Sequence, residues 1–120
     1  MSQEQRSATR IQRPLPVVVQ YAGTSVELVS RNYGLRGMYL ETDDPLPLDV
    51  TCRVAVSVDE AEPLRAGAVV VRSEEGGMAL SFRDMSIEDF RRLQEALVAD
   101  ADDPAVFEDE FGGHHGLVDR

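Results

Sequence analysis

The sequence contains no lysine, no tryptophan and a single cysteine, Cys52. The absence of lysine excludes Schiff-base chemistry and a nucleotide-binding P-loop, because both depend on a lysine side chain. A single cysteine excludes an internal disulfide. The absence of disulfides is typical of proteins in a reducing compartment. The sequence also lacks a long apolar run, a secretory signal and a lipidation motif. We therefore expect a cytoplasmic protein that does not insert into membranes.

Residues suited to catalysis are scarce. Both histidines, His114 and His115, lie near the C-terminus, and no further His or nearby Cys accompanies them as a metal ligand. A serine or cysteine nucleophile would have to recruit its base from that segment. Asp43 and Asp44 are adjacent carboxylates in a proline-rich stretch and are typical of a solvated loop. The sequence predicts a protein that is not an enzyme and that has no metal site or cofactor.

Positive charge is concentrated at the start of an acidic chain. The 120 residues carry a formal net charge of −10, which argues against a general nucleic-acid or anionic-membrane binder. Residues 1–36 nevertheless contain five arginines and only two acidic residues. This local excess of positive charge indicates a local anion site.

The apolar pattern predicts six short β-strands with turn residues between them, which is typical of an antiparallel barrel or sandwich. The predicted strands are residues 17–21, 25–30, 38–41, 50–58, 64–72 and 78–82. In the fourth strand, apolar residues alternate from Val50 to Val58 and include Cys52. We therefore interpret Cys52 as a core residue, the alternative being a reactive thiol. In the third strand, Met38 and Leu40 are expected to face the core and Tyr39 to face outward.

One helix is predicted after the strands. Ser86 is a candidate N-cap, and Asp89 follows three residues later as in a capping box. Acidic residues from Asp100 onward oppose the helix dipole, so the last turn is expected to fray. An apolar stripe at three- and four-residue spacing predicts packing against the barrel through Ile87, Phe90, Leu93 and Leu97.

The sequence predicts three segments: a flexible arm over residues 1–14, a folded domain over residues 15–99 and an acidic, disordered tail over residues 100–120. Phe107 and Phe111 lie within the acidic run, so the tail is either a solvated segment or a short docking motif. Its negative charge also suggests that it transiently covers the arginines of the arm. The alternative is a tail that only confers solubility.

A turn with adjacent arginines is predicted between residues 32 and 37. Asn32, Gly34 and Gly37 belong to residue types that accept positive φ, so a tight turn with exposed backbone N–H groups is expected. Arg31 and Arg36 stand beside these residues. Two interpretations remain open from the turn alone, an anion site or an ordinary β-hairpin whose arginines are solvated.

Two motifs in order carry a family resemblance. Arg6-Ser-Ala-Thr-Arg10 fits RxxxR, and Asn32-Tyr-Gly-Leu-Arg-Gly37 fits (D/N)xSxxG except that Gly34 replaces the serine. The residues between the motifs suffice for a strand, a turn and a second strand. With the strands and the helix that follow, residues 6–98 resemble the PilZ domain, the bacterial receptor module for cyclic di-GMP.

The resemblance implies a six-stranded antiparallel β-barrel with a C-terminal helix and no catalytic activity. It implies that Arg6 and Arg10 bind the phosphates and guanine edges of cyclic di-GMP, since guanidinium groups suit both. The resemblance further implies that Asn32, Gly34 and Gly37 form the second half of this site, with Arg36 beside them. Loss of the serine hydroxyl at Gly34 should cost about 0.5–1.5 kcal/mol, or up to about ten-fold in affinity.

The resemblance also implies a regulatory role. A single PilZ domain would act through a protein partner, unidentified here, in bacterial motility, pili or surface behaviour. The alternative is a PilZ-like adaptor that no longer binds cyclic di-GMP and regulates motility by protein–protein contacts alone.

Overall fold

The computed structural model describes residues 10–101, which form seven β-strands and one α-helix. Six of the strands close a barrel, and the short β1 pairs with β3 outside it. The predicted six-stranded antiparallel barrel with a C-terminal helix is confirmed. The elements are β1 (Arg10–Ile11), β2 (Pro16–Tyr21), β3 (Thr24–Gly34), β4 (Gly37–Glu41), β5 (Thr51–Val56), β6 (Leu64–Glu74), β7 (Gly77–Asp84) and α1 (Ile87–Asp100).

The barrel runs in the order β3-β2-β5-β6-β7-β4 and closes where β4 pairs with β3. All pairings are antiparallel. The ends of β3, β5 and β7 therefore lie at the same end of the barrel as the starts of β2, β4 and β6. Helix α1 packs at this end, where the Arg65 backbone N–H donates to Asp89 Oδ2 at 3.2 Å. We call it the helix end of the barrel.

The alternating strand that contains Cys52 packs as predicted. Cys52, Val54 and Val56 are buried, and the Cys52 side chain lies in the core with 6% of the residue exposed. Burial raises the pKa of the Cys52 thiol, because the interior disfavours the thiolate. The interpretation of Cys52 as a core residue is confirmed. Met38 and Leu40 are also buried, as expected.

Tyr39 lies on the outer wall of the barrel, as predicted, but it is covered. The guanidinium groups of Arg31 and Arg72 lie 4.6 and 5.7 Å from the centre of its ring. Its hydroxyl donates to Glu74 at 2.6 Å, and a Cβ on Gly77 would overlap the Tyr39 side chain. Alternation predicted the direction of Tyr39, whereas its 5% exposure results from these neighbours.

The turn predicted over residues 32–37 is shorter than expected. Strand β3 continues to Gly34 and β4 begins at Gly37, so only Leu35 and Arg36 connect them. Asn32, Gly34 and Gly37 belong to the strands and do not adopt positive φ, so the tight turn expected over residues 32–37 is limited to Leu35 and Arg36. Within residues 10–101, the glycines with positive φ are Gly23 and Gly76, which lie in the β2–β3 and β6–β7 hairpins.

Helix α1 begins and packs nearly as predicted. The Asp89 backbone N–H donates to Ser86 Oγ at 3.0 Å, so Ser86 is the N-cap. Of the predicted stripe, Phe90, Leu93 and Leu97 are buried, whereas Ile87 is 40% exposed. Asp100 is the last residue of the helix. In the part of the chain that the structure describes, no helix is long and apolar enough to cross a membrane.

Candidate functional site

The two motifs meet where β1 pairs with β3. Arg10 pairs with Gly34 across the strands, and Arg10 Nη1 donates a hydrogen bond to Asn32 Oδ1 at 2.7 Å. Asn32 and Gly34 lie on the same face of β3, because side chains two residues apart in a strand point the same way. The fold thus brings Arg10 into contact with Asn32, a residue 22 positions away. Arg6 lies outside the described residues, so its role stays a prediction.

A β-bulge at Arg31 sets the orientation of this part of β3. The register with β4 shifts between Ser30 and Asn32, so Arg31 is the extra residue. Ser30 is buried, whereas the exposed Arg31 forms an ion pair with Glu41 at 3.0 Å. Asn32 pairs with Tyr39, which places the covered tyrosine beside the candidate site. Arg31 therefore supports the outer wall through Glu41 and the Tyr39 ring.

The glycines of the second motif have different surroundings. Gly34 is buried opposite Arg10. At Gly37 a Cβ would overlap the carbonyl oxygen of Leu80, because the backbones of β4 and β7 approach closely there. Gly37 is thus required by the fold whether or not a ligand binds. Arg36 lies exposed between these glycines.

Ser30 ties the segment before β2 to the barrel. Its Oγ accepts a hydrogen bond from the Leu15 backbone N–H at 2.9 Å and donates to the Arg13 carbonyl oxygen at 2.8 Å. The Ser30 backbone N–H donates to the Leu15 carbonyl oxygen at 3.0 Å. Within the arm predicted over residues 1–14, the portion from Arg10 onward is therefore attached to β3. Residues 1–9 lie outside the described residues.

A second set of contacts joins this segment to the end of helix α1. The Tyr33 hydroxyl and Arg13 Nη1 both donate to Asp100 Oδ2, each at 2.5 Å. Burial, followed by the hydrogen bond to Asp100, raises the pKa of Tyr33 above its ordinary value of 10. We call Arg13, Ser30, Tyr33 and Asp100 the arm clamp.

The arm clamp was missed by sequence reasoning, which assigned Asp100 to the acidic tail and expected fraying there. The sequence nevertheless contained a pattern that places Asp100 in the helix. Asp100 follows Leu97 by three residues and continues the spacing of the apolar stripe, so its carboxylate lies on the packed face of the helix. A carboxylate at such a position requires a partner, and Tyr33 and Arg13 supply it.

The arrangement on the outer wall is suited to binding an anion. A guanidinium group presents planar N–H donors that match phosphate oxygens, and Arg10 is held at a fixed place by Asn32. Arg36 follows two residues after Gly34 and adds positive charge at the same end of the barrel. Within residues 10–101, no group of three or more His, Cys, Asp or Glu side chains is arranged to hold a metal ion.

The sequence matches the model of a known protein family. A model of the PilZ domain matches residues 4–99. Among curated proteins, none matches the chain in sequence.

Several solved structures share the fold. The inhibitor of motility MotI/DgrA of Bacillus subtilis has a TM-score of 0.65 and 22% identity, over 77% of this chain and 49% of that one. YcgR of Escherichia coli, in complex with c-di-GMP, has a TM-score of 0.68 and 16% identity, over 79% and 45% of the two chains. The chain thus spans about half the length of these two proteins. The isolated PilZ domain of YcgR with c-di-GMP has a TM-score of 0.62 and 15% identity, over 94% and 97%.

Proposed function

The chain belongs to the PilZ domain family, and we propose that it is a non-enzymatic, cytoplasmic receptor for cyclic di-GMP that acts through a protein partner. The observation that carries the proposal is the hydrogen bond from Arg10 to Asn32, which joins the two motifs on one surface. YcgR has been solved with c-di-GMP, and MotI is an inhibitor of motility. The first finding supports nucleotide binding by this chain, and the second supports a role in motility or surface behaviour.

Recognition of the nucleotide rests on charge and on fixed donors. Arg10 is proposed to bind a phosphate or a guanine edge, because a guanidinium group has five N–H donors and can contact Asn32 and a ligand together. Asn32 supplies a carboxamide beside it, and Arg6, the first residue of RxxxR, is proposed as a second contact to the nucleotide. Gly34, Arg36 and Gly37 complete the proposed site, with Gly37 acting through the backbone geometry that it permits.

The arm clamp provides a connection from this site to the helix. Arg13 lies three residues after Arg10 and donates to Asp100 at the end of α1. The Tyr33 hydroxyl, one residue from Asn32, donates to the same oxygen of Asp100. A displacement of β1 on ligand binding would therefore strain the contacts that Arg13 and Tyr33 make with Asp100, the last residue of α1. We propose that the partner recognises this change.

Titration calorimetry with cyclic di-GMP at moderate salt tests the proposal. Arg10→Ala should weaken binding about ten- to hundred-fold, since a hydrogen bond to a charged group contributes about 1.5–3 kcal/mol. Arg65→Ala is the matched control, because Arg65 is exposed on β6 and makes no described ion pair. Absence of saturable heat with the wild-type protein would contradict the receptor proposal.

The departure at Gly34 supports a second candidate function, an adaptor that regulates by protein contacts without the nucleotide. Gly34 pairs directly with Arg10, so a serine hydroxyl at this position would lie beside the proposed ligand. Gly34→Ser should raise the affinity for cyclic di-GMP by up to about ten-fold if the rest of the site is intact. An adaptor is indicated if neither the wild type nor Gly34→Ser binds.

A further inference from the structure

Arginines without a described partner are clustered in this acidic protein. Among the arginines within residues 10–101, most donate to a carboxylate or an amide. Four others make no side-chain hydrogen bond or ion pair with another described residue: Arg36, Arg65, Arg83 and Arg91. Three of these four line one cleft. Because these three arginines make no described ion pair, the rim of the cleft is rich in positive charge.

The cleft has an apolar floor. It has a volume of about 420 Å³ and lies at the helix end of the barrel, between the end of β7, the β3–β4 connection and the first turns of α1. Its apolar lining residues are Leu35, Phe82, Met85, Ile87 and Phe90.

Asp84, the acidic residue of the lining, is engaged elsewhere. Its Oδ1 accepts the Gly67 backbone N–H at 2.9 Å and lies 3.9 Å from Arg53. Since its carboxylate is directed toward β5 and β6, Asp84 does little to neutralise the three arginines. The cleft therefore suits a large apolar side chain that is flanked by acidic groups.

We propose that the cleft is the docking site of the chain's own C-terminal segment, residues 105–111. This segment, which lies outside the described residues, has the sequence AVFEDEF and places three acidic residues between Phe107 and Phe111. A phenylalanine fills the apolar floor, and the acidic residues pair with Arg36, Arg83 and Arg91. The charge and the apolar content of segment and cleft are complementary.

The segment is long enough to reach the cleft from the end of the helix. The 14 residues of α1 span about 21 Å at 1.5 Å per residue. From Ala101, an extended chain reaches about 20 Å at Phe107 and about 33 Å at Phe111. A shallow depression on α1 leads from its last turns to the rim and is lined by Arg91, Gln94, Glu95, Val98 and Ala99. Tethering raises the effective concentration, which strengthens an otherwise weak contact.

The structure favours this site over the arginines of the arm, which the charge distribution alone had suggested. Arg10 already donates to Asn32, whereas the three rim arginines have no described partner. Leu35, which lines the cleft, directly follows Gly34 of the proposed nucleotide site, so the two sites are adjacent. A docked segment would thus cover Arg36 at the edge of the proposed nucleotide site and link the occupancy of the two sites.

The test uses full-length protein and a fluorescent reporter. The chain has no tryptophan, so Phe107→Trp and Phe111→Trp each create a single reporter within the segment. At low salt, at least one reporter should emit at shorter wavelength than a synthetic peptide of residues 101–120 with the same substitution. High salt should move that emission toward the value of the free peptide, because it screens the arginine–carboxylate contacts.

Charge reversal identifies the contact surface. Arg91→Glu, added to the responsive reporter, should shift its emission toward that of the free peptide, whereas Arg65→Glu should leave it unchanged. The two substitutions change the net charge equally, but Arg65 does not line the cleft. The proposal is overturned if both reporters emit like their free peptides, or if Arg91→Glu and Arg65→Glu have the same effect. No nucleotide is present, so the outcome is independent of cyclic di-GMP binding.

Discussion

The two ends of helix α1 are built in opposite ways. At the C-terminal end, Leu97 is fully buried and Asp100 accepts hydrogen bonds from Tyr33 and Arg13. At the N-terminal end, Ile87 is 40% exposed and Arg91 makes no described ion pair. The C-terminal end is fixed to β3 and to the arm, whereas the N-terminal end borders an open cleft.

The difference follows from burial. A carboxylate on a packed helix face must find donors, because an unpaired buried charge is costly. An arginine at a rim remains hydrated and needs no protein partner, so it stays available to a ligand. A single helix can therefore anchor the fold at one end and offer a binding surface at the other.

The largest expected difference between the two ends concerns apolar packing. Leu97→Ala should lower the free energy of unfolding by about 2–5 kcal/mol, because it leaves a cavity in the core. Ile87→Ala, at the exposed end, should cost less than about 1 kcal/mol. Urea denaturation followed by circular dichroism measures both. Equal losses would show that the two ends contribute alike.

Loss of the clamp carboxylate should have an intermediate effect. Asp100→Ala leaves the buried Tyr33 hydroxyl without its acceptor, which should cost about 1–3 kcal/mol. It should also speed amide hydrogen exchange at residues 11–15, because Arg13 loses its contact with the helix. Glu95→Ala, an exposed change on the same helix, is the control. Unchanged exchange at residues 11–15 in Asp100→Ala would rule out the clamp as an anchor of the arm.

The smallest effect is expected at alkaline pH. The pKa of Tyr33 is raised in the folded protein, so folding favours the protonated hydroxyl, and this stabilisation is complete below the ordinary pKa of 10. Above pH 10 the unfolded chain loses this proton first, and stability should fall by up to about 1.4 kcal/mol per pH unit. In Tyr33→Phe this part of the slope should disappear. Urea denaturation at pH 9, 10 and 11 compares the two proteins, and identical slopes would contradict the prediction.

Several elements of the fold were predictable from local pattern. The alternation around Cys52 predicted a core strand, and Ser86 with Asp89 predicted the start of the helix. Both depend on residues close together in the chain, where periodicity and capping chemistry act directly. The turn was less predictable: Gly34 and Gly37 suggested a tight turn, whereas both lie in strands and Gly37 is required because β4 and β7 approach closely.

For the candidate site, the sequence by itself determined the residue types and their order: RxxxR, then Asn32 and Gly37, within a frame of strands and one helix. Tertiary structure decided which residues meet. It placed Arg10 against Asn32 and engaged Asp100 with Tyr33, 67 residues apart in the chain. It also left three arginines around one cleft without described partners. Such contacts depend on barrel closure and on burial, which bring distant residues together. Local periodicity places Asp100 on the packed face of the helix, but it does not identify Tyr33 as its partner.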